Sequence, residues 1–233
     1  MLKRISPSVI VYLLLFVVII ILRALISLFP SGQTASQIIN LTDTLSIVVI
    51  WLLGWVGVYL APGTGFAGMW QDGVTQRKRF LEPALIGVGI GVLSVILDLL
   101  QPLVIQESIR LPASLVAYPL AGIIEEIVFR LFLTTTLVWI FSNMLLRGNW
   151  QEVVFWAVNV FLGVFYTFSQ LIQYENLFTT VNLFIVAHFF VMVALYFILA
   201  AYYYRRYGFL AAISMSMGNY LVWHILWGGI FQV

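Results

Sequence analysis

Cysteine is absent from the 233-residue chain. That excludes a disulfide framework, a thiolate metal site and a cysteine nucleophile. Charge is scarce as well. Asp, Glu, Lys and Arg together make up 9% of the residues, against about 25% in soluble globular domains. The net charge of +2 is too small to recruit a polyanion, so nucleic acid is not an expected partner. The chain is instead apolar: 63% of residues are hydrophobic and 16% aromatic, with a mean hydropathy of +1.07. A soluble domain of this length could not keep that much apolar surface from water. The expected solvent is lipid, and the expected fold is an all-α, polytopic membrane helix bundle.

A bilayer-spanning helix needs about 20 mostly apolar residues. Seven stretches qualify, roughly 6–29, 37–61, 83–105, 114–146, 150–172, 179–204 and 209–232. The breaks between them hold turn-forming or charged residues, such as Pro30-Ser31-Gly32, Pro62-Gly63-Thr64-Gly65 and Arg205-Arg206-Tyr207-Gly208. The fourth stretch exceeds one span, so it is expected to tilt, to kink near Pro119 or to begin as an interfacial segment. The first stretch is as long as a full span and no small-residue cleavage site follows it, so it reads as a retained helix rather than a signal peptide.

Basic residues orient the bundle. With the N-terminus inside, Lys3, Arg4, Arg77, Lys78, Arg79, Arg147, Arg205 and Arg206 all fall on the inner side, and only Arg110 falls outside. By the positive-inside rule this predicts N-in and C-out. The location expected from this pattern is multi-pass in a cytoplasmic (plasma) membrane, with lipid as the first partner. Gly87 and Gly91 form a GxxxG pair inside a span, which predicts close helix packing rather than a dinucleotide loop.

Ionisable residues inside a span are costly and usually face a bundle interior or a wet cavity. They number seven: Arg23, Asp98, Glu125, Glu126, Arg130, His188 and His224. At ~1.5 Å per residue, Glu125, His188 and His224 lie at similar depths below the outer ends of their helices. That agreement predicts one shared polar cavity. Glu126 and Arg130 are four apart and share a helix face, so they can pair. Glu125 is turned about 100° away from Glu126, freer to point into a cavity. A carboxylate placed so can take a proton from water, while a histidine orients that water or donates to an oxyanion.

Glu125-Glu126-Ile127-Val128-Phe129-Arg130 reads as EExxFR on a membrane helix. With Tyr118-Pro119 upstream, it resembles the first signature of the CPBP family, the type II CAAX prenyl endopeptidases and bacteriocin-processing (Abi) proteins. The resemblance covers about half the chain, 113–233, as a four-span core. Residues 1–112 then form three N-terminal spans and an inner loop, packed with that core as one membrane domain. In the family, FxxxH follows on the next helix and HxxxN on a final one. Here the next helix has Phe165-Tyr166-Thr167-Phe168-Ser169, with Ser169 in the histidine's place. Phe184-Ile185-Val186-Ala187-His188 matches FxxxH one helix later. His224 matches the last histidine, but Gly228 stands where asparagine is expected, and Asn219 lies too far upstream to count as its substitute.

The resemblance implies an intramembrane protease. It implies Glu125 as general base, Glu126 and Arg130 as the residues positioning it, His224 as oxyanion-side donor and His188 as replacement for the missing histidine. If a metal takes part, the resemblance implies zinc on Glu125, His188 and His224. The expected partner is a membrane-anchored peptide or protein substrate. Ser169 and Gly228 support an alternative, a catalytically impaired scaffold, regulator or immunity factor that binds a partner membrane protein. A transporter built around the polar cavity is a third reading, disfavoured by the lack of internal repeats.

Overall fold

A computed structural model describes residues 6–29, 42–102, 109–174 and 183–231. Lys3, Arg4, the Pro30-Ser31-Gly32 break and the start of the sixth stretch lie outside the described residues. Among the described residues there are helices and no strands. Seven long helices follow one another: α1 (Pro7–Ile26), α2 (Thr44–Leu60), α3 (Arg77–Leu100), α4, α5 (Gln151–Tyr174), α6 (Leu183–Tyr207) and α7 (Phe209–Phe231). Helix α4 is continuous but not uniform. It is α over Ser114–Glu126, widens to π over Ile127–Thr134, is α again over Thr135–Val138 and π over Trp139–Leu145. Pro119 sits inside its first segment without ending it.

Six of the helices are long and apolar enough to cross a membrane. The exception is α4, which carries Glu125, Glu126 and Arg130 within six residues. The basic run Arg77-Lys78-Arg79, expected in a loop, forms the first turn of α3. That turn is anchored by Arg79, whose guanidinium lies 3.7 Å over the Trp70 ring and donates to the Gln71 carbonyl at 2.7 Å.

Helix α4 packs against α1, α2 and α7, and α7 packs against α3, α4 and α6. The main core joins residues on both sides of position 112, among them Tyr12, Ile19, Ile50, Leu120, Ile127, Phe155, Phe197 and Phe209. Exposed Leu, Ile, Val and Phe side chains cover the outer faces of the helices, as expected of a surface that meets lipid.

A close seam runs between α3 and α7. A Cβ on Gly87 would strike the Met215 carbonyl, and one on Gly218 would strike the Ala84 carbonyl. Backbone meets backbone there, which is the close approach predicted from the GxxxG pair. The seam holds α7 in place, and α7 presents four of the residues that line the site described next.

Candidate functional site

Glu125 is the last residue but one before α4 changes from α to π geometry. Its side chain is partly buried and lines a cavity of about 200 Å³ together with Tyr166 and Gln170 of α5, Tyr196 of α6, and Asn219, Tyr220, Trp223 and His224 of α7. The Tyr220 hydroxyl donates to Glu125 Oε2 at 2.5 Å. The Tyr166 hydroxyl reaches the same carboxylate and also Gln170. On its other side Glu125 lines a second space, a mostly apolar cleft of about 290 Å³ walled by Ala121, Ile124, Val128 and Phe129. Tyr166 and Tyr220 line both spaces. The two spaces adjoin at these three residues.

Glu126 faces inward and is fully buried, as is Arg130. Arg130 Nε stands 3.5 Å from Glu126 Oε2, and the Tyr196 hydroxyl donates to Glu126 Oε1 at 2.5 Å. Arg130 Nη2 donates to the Phe197 carbonyl at 3.3 Å, and its guanidinium lies 3.8 Å over the Phe197 ring. A buried charge must be paired or solvated by fixed dipoles. Here an ion pair, a hydrogen bond and an aromatic face together do that.

His224 stacks on the Tyr118 ring, with centroids 4.5 Å apart, and meets the Tyr220 ring at 4.7 Å, the three rings forming one cluster. His188 is brought near but not into the same space. It is fully buried and does not line the cavity. Its ring meets Trp223 edge-on at 5.7 Å, and Trp223 is the residue that lines the cavity. The polar surroundings of His188 are instead the Ser94 backbone and the Asp98 carboxylate of α3, and Asp98 accepts from Trp227 Nε1 at 2.8 Å. Arg23 lines neither space; it donates to the carbonyl of Thr42 at 2.7 Å where α1 ends and α2 begins, and Thr42 lines the cleft beside Glu125.

Neither Ser169 nor Gly228 lines the cavity. The Ser169 hydroxyl donates to the Tyr166 carbonyl of its own helix at 2.8 Å, and Gly228 is buried one turn beyond His224. What α5 presents to Glu125 is Tyr166, three residues before Ser169. Asn219 does line the cavity, and its Oδ1 is buried without a partner among the described residues. Asn219, Tyr220, Trp223 and His224 make up one broad face of α7, which is α up to Tyr220 and π over Leu221–Phe231. Tyr166, Tyr196 and Tyr220 were not among the candidates drawn from the sequence. Their signal was position: they are tyrosines well inside spans rather than at the ends.

Among the described residues, no three His, Cys, Asp or Glu side chains come together to hold a metal ion. Glu125 and His224 share a cavity that His188 does not line, so the donor set inferred for zinc does not fit.

Compared with protein-family models, curated proteins and solved structures, the chain matches none.

Proposed function

We propose that this chain is a multi-pass protein of a cytoplasmic membrane, with seven crossings and the N-terminus inside, that acts as an intramembrane endopeptidase of the CPBP type. One observation carries the reading. Glu125, His224 and Asn219 face a single cavity, so a base and candidate oxyanion donors surround one reacting space.

The chemistry follows from those atoms. Glu125 takes a proton from a water in the cavity as the water oxygen adds to the scissile carbonyl carbon. The oxyanion so formed is held by N–H groups of His224 and Asn219, donors already oriented before the reaction. Glu125 then returns the proton to the amine nitrogen as the C–N bond breaks. Tyr220 and Tyr166 hold the carboxylate in position, and the Glu126–Arg130 pair fixes the helix behind it. The apolar cleft on the other face of Glu125 supplies an approach for a membrane-anchored substrate.

The test is hydrolysis of membrane-anchored peptides by the purified protein. The wild type is expected to cleave and Glu125→Gln is not. Equal turnover by both ends the reading.

A second reading, an inactive scaffold for a partner membrane protein, rests on the sequence, where Ser169 and Gly228 stand in place of the histidine and asparagine that the resemblance leads one to expect. It predicts that cellular function survives Glu125→Gln and His224→Ala while a membrane partner co-purifies.

A further inference from the structure

The polar cavity beside Glu125 has one carboxylate on its wall and, among the described residues, no Lys or Arg. Arg130 is buried and paired with Glu126 instead. The hydroxyl groups on the wall are already spent as donors. Tyr220 donates to Glu125 and Tyr196 to Glu126, each at 2.5 Å. Tyr166 also reaches Glu125, and between a phenol and an ionised carboxylate the phenol is the donor. Ser94 of α3, on the same wall, donates to the Ile90 carbonyl at 3.0 Å. A hydroxyl has one proton and two acceptor lone pairs. With the proton used, each of these oxygens can only accept from whatever enters the cavity.

The wall is therefore rich in acceptors and poor in donors. An ionised carboxylate has about four acceptor positions, and the two tyrosines fill only two of those on Glu125. Asn219 lines the cavity and is 7% exposed, and its Oδ1 has no partner among the described residues. The groups left to donate are N–H groups of His224, Asn219 and Gln170, and Gln170 already meets the Tyr166 hydroxyl. Tyr196, Tyr220 and Trp223 add aromatic rings to the same wall, and such rings attract a cation. At about 200 Å³ the space is below the ~300–1,000 Å³ typical of sites for drug-sized ligands, so it suits a molecule of a few carbons. It also reaches Gln170, about one turn before α5 ends at Tyr174. Negative charge, free acceptors and aromatic rings in one small space are complementary to a cation that brings its own N–H donors. A primary ammonium brings three.

We propose that this cavity binds a primary alkylammonium group, with Glu125 as its counter-ion and the wall oxygens as its hydrogen-bond acceptors. The group can belong to a free small amine or to a lysine side chain of a membrane peptide. The inference uses the same cavity as the hydrolytic reading but does not rest on it, because binding needs the charge and the acceptors and not turnover. An ammonium seated there takes the place of the water that Glu125 would activate.

The experiment is equilibrium dialysis of radiolabelled n-butylammonium against the purified full chain, in neutral detergent and amine-free buffer. Saturable binding is expected, about tenfold or more tighter than that of n-butanol, which has the same chain without the charge. Tetramethylammonium, a cation with no N–H, is expected to bind more weakly than n-butylammonium. Glu125→Gln, with its thermal transition in place, is expected to erase the gap between amine and alcohol. Asp72→Asn, which removes an exposed carboxylate elsewhere, is expected to leave the gap unchanged. Displacement of the label by a membrane peptide with a single lysine, but not by its norleucine counterpart, assigns the site to a side chain. Displacement by neither peptide assigns it to a free amine. The proposal is overturned if the alcohol or tetramethylammonium binds as tightly as the primary amine, or if both peptides displace it equally. Wild-type binding that is not saturable, or a gap that persists in folded Glu125→Gln, overturns it as well. None of these outcomes depends on peptide hydrolysis, so the two readings fail separately.

Discussion

Glu125 and Glu126 are chain neighbours in opposite settings. Glu126 is fully buried and committed to Arg130 and Tyr196, whereas Glu125 is partly exposed to two open spaces. Removing one partner of a buried ion pair leaves an uncompensated charge, so Arg130→Met is expected to destabilise the fold by about 3–5 kcal/mol. Adding Glu126→Gln to that variant is expected to recover part of the loss. Unfolding in detergent measures both. Glu125→Gln is expected to leave the unfolding transition near its wild-type position and to lower peptide turnover by about 10²–10⁴-fold. At the start of α2, the Asp43 carboxylate is hydrogen-bonded by the Ser46 side chain and accepts the Ser46 N–H at 2.7 Å, and those bonds lower its pKa below the usual carboxylate range. Such a group contributes stability above the ordinary pKa of about 3.9 and loses it as pH falls through the lowered value. Amide exchange at Ser46, corrected for intrinsic rates, is expected to speed up on acidification, and Asp43→Asn is expected to remove that dependence.

The charged hexapeptide was readable because an i, i+4 pair keeps its meaning across the start of a π segment. The shared cavity of Asn219 and His224 was not, because in an α-helix a spacing of five turns a side chain about 140° from its partner at 100° per residue, and only the breadth of the cavity, which also takes in Tyr220 and Trp223 between them, reaches both. The tyrosines were missed for a different reason. A mid-span tyrosine is mostly apolar, and only its hydroxyl, which the sequence cannot aim, makes it part of a site. The α3–α7 seam, by contrast, was legible in Gly87 and Gly91. At Gly218 a methyl would meet the Ala84 backbone, which cannot move aside as a side chain can. Gly218→Ala is therefore expected to cost about 1–3 kcal/mol. Gly89→Ala on the open face of α3, with nothing within 4 Å of the new carbon, is expected to be neutral or to stabilise by up to about 1 kcal/mol. Paired thermal melts decide it.

At the scale of the whole molecule, low charge and long apolar runs were enough to place an all-helical bundle. The same rarity of charge made α4, the helix with three charges in six residues, stand apart from its six apolar neighbours. The orientation read from the basic residues is open to a direct check, because the chain has no cysteine to mask. A single cysteine at the exposed Asp72 is expected to react with an impermeant maleimide only from the inner side, and one at the exposed Arg110 only from the outer side.

The meeting of two spaces at Glu125, Tyr166 and Tyr220 has a kinetic consequence for the hydrolysis proposed above. Two spaces meet at one carboxylate, so whatever reacts there can be supplied by two routes. A bulky chain can occupy the apolar cleft while water exchanges through the polar cavity, and neither has to leave for the other to enter. A compound filling only the cleft would then compete with the chain, and one filling only the cavity would lower turnover at any chain concentration. The pattern of inhibition would report which of the two spaces each compound occupies.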